Sequence, residues 1–227
     1  MIEGLSLWTE LLFGIAFTSC ILGFYLSNGK PKKAVSLLLL WSLGQSILAF
    51  NGFYLDIHSF PPRFALVLLP AFIAVGMGLQ SSVIKWVTTN RIPLISTWSH
   101  SIRLPIELVL YGLYTHKMIP KLMTFEGRNF DVLIGITAIL MGLFYRKTNL
   151  KIRLFWNLIG LSFILFIVTN AILSAELPFQ QYAFDQPNRA VNYFPFVLLP
   201  VTIVPIVIWT HLSDIILLYR QINRENS

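Results

Sequence analysis

The sequence predicts an all-α membrane protein, a single bundle of seven transmembrane helices with the N-terminus outside and the C-terminus inside. Three observations carry this expectation. Hydrophobic residues make up 56% of the 227 and charged residues only 12%, with a mean hydropathy of +0.70, whereas soluble domains carry about 25% charged residues. Seven apolar runs approach the roughly 20 residues a membrane span requires. Lysine and arginine gather in alternate loops. On this composition the net charge of +7 reads as basic cytoplasmic loops and not as a nucleic-acid surface.

In chain order the spans fall at 5–26, 34–55, 64–85, 94–115, 130–147, 152–173 and 193–218. The first begins with "MIEGLSLWTE", where Glu3 and Glu10 replace the basic start of a secretory leader, so it reads as a helix of the bundle. Its one cysteine, Cys20, excludes an internal disulfide framework. The loops "SNGKPKK", "DIHSFPPR" and "TTNRIP" are short and rich in Gly, Pro and polar residues, and none is long enough to separate domains. Trp8, Trp41, Trp86 and Trp156 fall near span ends, as interfacial anchors do, while Trp98 and Trp209 lie deeper. With the N-terminus outside, the inner loops and tail hold eleven basic residues: Lys30, Lys32, Lys33, Lys85, Arg91, Arg146, Lys147, Lys151, Arg153, Arg220 and Arg224. The outer loops hold five: Arg63, Lys117, Lys121, Arg128 and Arg189. That asymmetry sets the orientation.

A faint internal duplication runs through the spans. Span three contains F-x-x-V-L-L-P ending at Pro70, and span seven contains it ending at Pro200. The spans before them share "LWSLGQS" and "FWNLIGLS", and those before again share Phe24-Tyr25 and Phe144-Tyr145. Matching elements keep their order, so helices 1–3 (about 5–85) pair with helices 5–7 (about 130–218) around an unmatched helix 4 (about 94–115). A single linker crossing makes this a parallel repeat. Pro70, Pro105 and Pro200 are expected to bend their helices near mid-depth.

The fourth span carries the strongest polar signal. At about 100° per residue, Ser96, His100, Arg103, Glu107, Tyr111 and Tyr114 share an arc of about 80°. A charge at mid-bilayer costs about 2.5–3.5 kcal/mol, so this stripe is expected to face the bundle interior, with Arg103 near Glu107 or an acid of another helix. Two blander arrangements stay open: residues 92–103 as an amphipathic helix on the inner surface, with Arg103 snorkelling to phosphate, or a buried Arg–Glu pair without chemistry. Span seven adds Thr210, His211 and Asp214, and Gln80 follows Pro70 by the ten residues that separate Thr210 from Pro200. The candidate binding residues are therefore His100, Arg103, Glu107, Tyr111, Tyr114, Gln80, Thr210, His211 and Asp214. In "FEGRNFD", Asn129 reads as a helix cap and Asp131 as a first-turn acid.

No HExxH, GxSxG, Walker A or CxxC motif occurs, and no lysine in span seven could carry a retinal Schiff base. Neither a metal nor a cofactor is expected. The architecture resembles that of the SWEET sugar transporters over the whole chain, although here the paired prolines lie in the third helix of each half. The block "MTFEGRNFD" at 123–131 resembles a segment of bacterial seven-helix membrane proteins of uncharacterised activity. The parallel repeat, the midplane prolines and the polar stripe expected to face the interior point to a transporter or channel for a small polar or anionic solute; a bacterial inner membrane is the expected location, with the lipid bilayer as partner and a homo-oligomer left open. An intramembrane enzyme acting on a lipid or lipid-linked substrate, and a membrane sensor or scaffold, are the alternatives.

Overall fold

The computed structural model describes residues 1–59 and 61–225, apart from the side chain of Val67. The described residues form nine α-helices: α1 (Leu7–Ser27), α2 (Lys32–Phe50), α3 (Ala65–Gly78), α4 (Ser81–Asn90), α5 (Pro93–Ser99), α6 (Arg103–Thr115), α7 (Asp131–Leu143), α8 (Leu150–Leu173) and α9 (Val204–Glu225). There is no strand among the described residues. Four helices are long and apolar enough to cross a membrane: Leu7–Ser27, Lys32–Phe50, Leu150–Leu173 and Leu199–Glu225. A fifth crossing is available if the bent pair α3–α4 counts as one.

Helix α9 is the central pillar, with two thirds of its most apolar window buried (67%). It packs against α8, α3, α4, α1 and α5. The opposite extreme is α2, which buries only Ser42, Gln45 and Ala49 and turns Leu37, Leu40, Leu43, Ile47 and Phe50 outward. A polar face inward and leucines outward is the inverse of a soluble helix, and it is what hydrocarbon surroundings demand. Helix α1 crosses α5 and α6 on small residues. A Cβ on Gly112 would meet Thr9 Oγ1 at 2.9 Å, and one on Gly23 would meet Ser99 Cβ at 3.0 Å. Without a hydrophobic drive between helices in lipid, such close backbone approaches supply the packing energy.

The third predicted span breaks. Its two halves, Leu68–Gly78 and Ser81–Asn90, meet at 72°, and Gln80 is extended at φ −59°, ψ 146°. Pro70 does not lie at the bend: it is inside α3, ten residues before Gln80, and the hydrogen bond it removes is the one to the Leu66 carbonyl. The fourth span follows one helical path, but a 3-10 turn at His100–Ile102 separates α5 from α6. That turn lies just ahead of Pro105, where the proline ring displaces the carbonyl one turn back. Pro200 opens a π-helical turn, Leu199–Ile203, ahead of α9. The two prolines of the suggested duplication therefore sit in different local structure, one in an α-helix and one in a π turn. Helix α2 latches onto the π turn: Trp41 Nε1 donates to the Val201 carbonyl at 3.3 Å, and the Ser42 and Thr202 hydroxyls bond at 2.8 Å.

The fifth predicted span, 130–147, is a helix of only 13 residues, α7. At about 1.5 Å per residue it covers about 20 Å, less than the roughly 30 Å of a hydrocarbon core. The loop that precedes it packs into the protein. Ile119, Met123, Thr124 and Asn129 are all buried, so the non-helical stretch before α7 descends into the bundle beside α6. Irregular backbone at membrane depth is tolerated where protein surrounds it. The segment 174–198 covers that end, with Gln186 Nε2 donating to the carbonyls of Tyr114 and Ile119 and the amides of Arg189 and Ala190 donating to Met118.

Candidate functional site

The 3-10 turn before α6, the start of α7 and the π turn before α9 meet at one place in the bundle. Between them lies a cavity of about 30 Å³, lined by Ile102, Arg103, Ile106, Glu107, Asp131, Ile164, Leu199, Ile203, Val204 and Val207. A cavity holds a water once it offers about 10–15 Å³ of this measure, so this one has room for about two. Three ionisable side chains share it with apolar ones.

Arg103 anchors the site. Its side chain is 4% exposed, and Nη1 bonds Asp131 Oδ1 at 2.5 Å. Asp131 sits at the first residue of α7, where the helix dipole favours a negative charge, and its backbone N–H is capped by Asn129 Oδ1 at 3.1 Å. The other branch, Nη2, reaches His211 Nε2 on α9 at 2.8 Å. A guanidinium has only donors, so His211 Nε2 must be the acceptor. The ring proton therefore sits on Nδ1, which donates to Asn157 Oδ1 of α8 at 2.8 Å. His211 is held as the neutral tautomer by this bonding pattern alone. Asn157 completes the chain by donating to the Arg153 carbonyl at 3.0 Å.

The His211 ring is enclosed on both faces. His100 stacks on it with centroids 3.9 Å apart and planes 15° apart, and Trp156 meets both rings edge-on. The close approach of α8 depends on Gly160, whose Cβ would fall 2.7 Å from His211 Nε2. Gly160→Ala should therefore displace the imidazole from Arg103 and destabilise the fold by about 1–3 kcal/mol, the range for overpacking. Unfolding titration in mixed micelles would measure this; unchanged stability would mean that α8 does not pack as closely as drawn.

Glu107 stands apart from its expected partner. Arg103 turns to Asp131, and Glu107 Oε1 instead accepts a short hydrogen bond from Asn129 Nδ2. The backbone N–H of Phe125 lies beside the same carboxylate. Glu107 Oε2 makes no hydrogen bond of good geometry although the residue is 3% exposed, and Arg103 Nε and His100 Nε2 are likewise unpartnered.

A second buried network closes the bundle nearer the ends of α1 and α4. Arg91 Nε bonds Asp214 Oδ1 at 2.5 Å, Nη1 donates to Asn28 Oδ1 at 2.6 Å, and Nη2 donates to Ser96 Oγ at 2.7 Å and to the Thr210 carbonyl at 3.0 Å. Ser96 Oγ in turn donates to Asp214 Oδ2. The Arg91 side chain is fully enclosed. No side-chain atom of Arg91, Asp214, Ser96 or Asn28 is among those left unpartnered.

The structure thus brings together Arg103, Glu107, His100 and His211 in one site, and places Asp214 and the Thr210 backbone in the Arg91 clamp. The Thr210 hydroxyl bonds the Ile206 carbonyl at 2.7 Å and serves α9 itself. Gln80 lies elsewhere, exposed at the α3–α4 break, because the bend removes it from the depth that counting from Pro70 assigned. Tyr111 and Tyr114 do not line the cavity: Tyr111 stacks on Phe125 at 5.2 Å, where the inward-folded loop covers α6. In residues 93–102 the polar face is the packed one: Ser96, Thr97, His100 and Ile102 are buried, while Leu94 and Trp98 are exposed.

Asp131, Asn129, Asn157, Trp156 and Arg91 were not among the expected site residues. Asn157 in "FWNLIG" did offer a signal, an amide in an otherwise apolar run, and Trp156 beside it is buried. Asp131 is the first-turn acid of α7 as expected, but the N-cap position is held by Phe130, and Asn129, expected as the cap, lies one residue earlier and binds the Asp131 N–H; only the inward course of the loop places that turn beside Arg103. Among the described residues no group of His, Cys, Asp and Glu is arranged to hold a metal ion.

A family model described as Domain of unknown function (DUF8737) matches residues 61–219, more than half of the chain and every site residue except Asn28. No curated protein and no solved structure matches the chain.

Proposed function

The chain belongs to the DUF8737 family, and because that membership brings no activity with it, we propose from the site itself that this protein is a membrane transporter or channel for a small polar or anionic solute. It crosses a cytoplasmic membrane seven times, with the N-terminus outside, α3–α4 and α5–α6 each counting as one crossing and the loop before α7 completing the fifth. The observation that carries the reading is the meeting of a 3-10 turn, a helix start and a π turn at one small cavity, where three ionisable side chains sit among seven apolar ones, with Arg103 Nε and Glu107 Oε2 unpartnered. Secondary transporters place solute and coupling-ion sites where discontinuous helices free backbone and side-chain groups near the midplane, and π turns recur at such positions. A cavity for about two waters describes an occluded state, so solute entry requires α9 and its π turn to move relative to α6 and α7. Arg103 supplies the cation for an anionic group.

The basic asymmetry supports the orientation. Reporter fusions after Lys33 and at Ser227, which lies outside the described residues, should both report the cytoplasm; an external signal at either overturns the topology. For transport, purified protein in liposomes should take up at least one member of a panel of radiolabelled small carboxylates and inorganic anions. Arg103→Lys keeps the charge and loses the planar fork. Loss of one charge-assisted hydrogen bond costs about 1.5–3 kcal/mol, so affinity should fall about ten- to a hundredfold. No uptake of any panel member by the unmodified protein refutes the reading.

A further inference from the structure

Among the described residues, pairing the buried arginines with the buried acids leaves one acid over. Arg91 is matched by Asp214 and Arg103 by Asp131, each at 2.5 Å. His211 is neutral by its bonding pattern. Glu107, 3% exposed, has no cation to itself. The groups facing it are Arg103 on its own helix, already engaged, Asp131 from α7, like-charged, and the neutral Asn129 amide and Phe125 N–H from the loop. What α8 and α9 present across the cavity, Ile164, Val204 and Val207, is apolar.

We propose that Glu107 is a proton-carrying site, loaded and unloaded through water in the adjoining cavity, and that the ion coupled to solute movement is therefore H⁺. This rests on the transport reading and names its coupling ion. One oxygen is fixed by Asn129, which leaves Oε2 as the atom that gains and loses the proton. Glu107 and Arg103 both line a cavity with room for about two waters, enough for a hydrogen-bonded link between Oε2 and Arg103 Nε. Protonation removes the one unmatched charge from a low-dielectric interior, and deprotonation restores an acceptor for the free Arg103 Nε–H. The two forms of the site therefore differ in net charge at the place where three helices are interrupted, which gives the proton a means to bias the packing of α6, α7 and α9. Carboxylates inside membrane bundles commonly serve as such relays.

Two measurements test this. In infrared spectra of the purified protein across a pH titration, the unmodified chain should show a protonated-carboxyl band that titrates, and Glu107→Gln should lack it. A band that persists in Glu107→Gln, or no titrating band in the unmodified protein, overturns the proposal. In liposomes, an imposed pH gradient should drive accumulation of whichever panel anion is taken up, and Glu107→Gln should exchange that anion without accumulating it. Accumulation by Glu107→Gln overturns the proton assignment and leaves transport standing. If the unmodified protein moves no panel anion, the transport reading falls, and the infrared titration alone decides whether Glu107 is a proton site.

Discussion

Arg103→Ala should destabilise the protein by about 3–5 kcal/mol, because it leaves Asp131 charged and enclosed with no partner. It also strips His211 Nε2 of its donor. Denaturant titration in mixed micelles measures the loss, and a change under about 1 kcal/mol would mean that the Arg103–Asp131 pair is not buried as described. Stability alone does not separate structure from function, and the pair of substitutions Arg103→Met with Asp131→Leu does. Replacing both partners of a buried pair by apolar residues of similar volume is often neutral or stabilising, so the double variant should recover much of the loss. Solute uptake should stay abolished. A double variant that regains both stability and uptake would reduce Arg103 to a structural strut.

Arg91→Ala should be as costly, about 3–5 kcal/mol, for the same reason: Asp214, Ser96, Asn28 and the Thr210 carbonyl all lose their donor at once. Here the double variant Arg91→Met with Asp214→Leu should recover stability together with uptake, because none of the four side chains in this clamp has an unpartnered atom and none lines the cavity. Two buried arginine–aspartate pairs of equal length thus predict opposite outcomes, and the difference lies in what surrounds them. One is closed on itself; the other shares a cavity with an unmatched acid. If uptake is lost in the Arg91 double variant at recovered stability, the clamp belongs to the transport machinery and the division drawn here is wrong.

The sequence by itself determined the helical class and the apolar segments, because burying or exposing backbone in lipid leaves few alternatives to helices, and a 3.6-residue period identifies which face of a helix is polar. It determined that Ser96, His100, Arg103 and Glu107 share one face, since that follows from helix geometry alone. It offered nothing on which partner each would choose. Arg103 and Glu107 are four apart and look like a pair, yet the guanidinium turns to Asp131, twenty-eight residues away, because the loop at 116–130 folds inward and delivers the start of α7 to that depth. Arg91 sat among basic loop residues in the sequence; in the structure Asn90 packs on Gly29, the Ile92 N–H bonds the Ser27 carbonyl, and Arg91 between them reaches Asn28 and Asp214. The break of span three fell at Gln80 and not at Pro70. Each of these was decided by contacts between segments distant in sequence. Local periodicity fixes direction within one helix, whereas pairing of buried charge depends on how deep each neighbouring segment is seated.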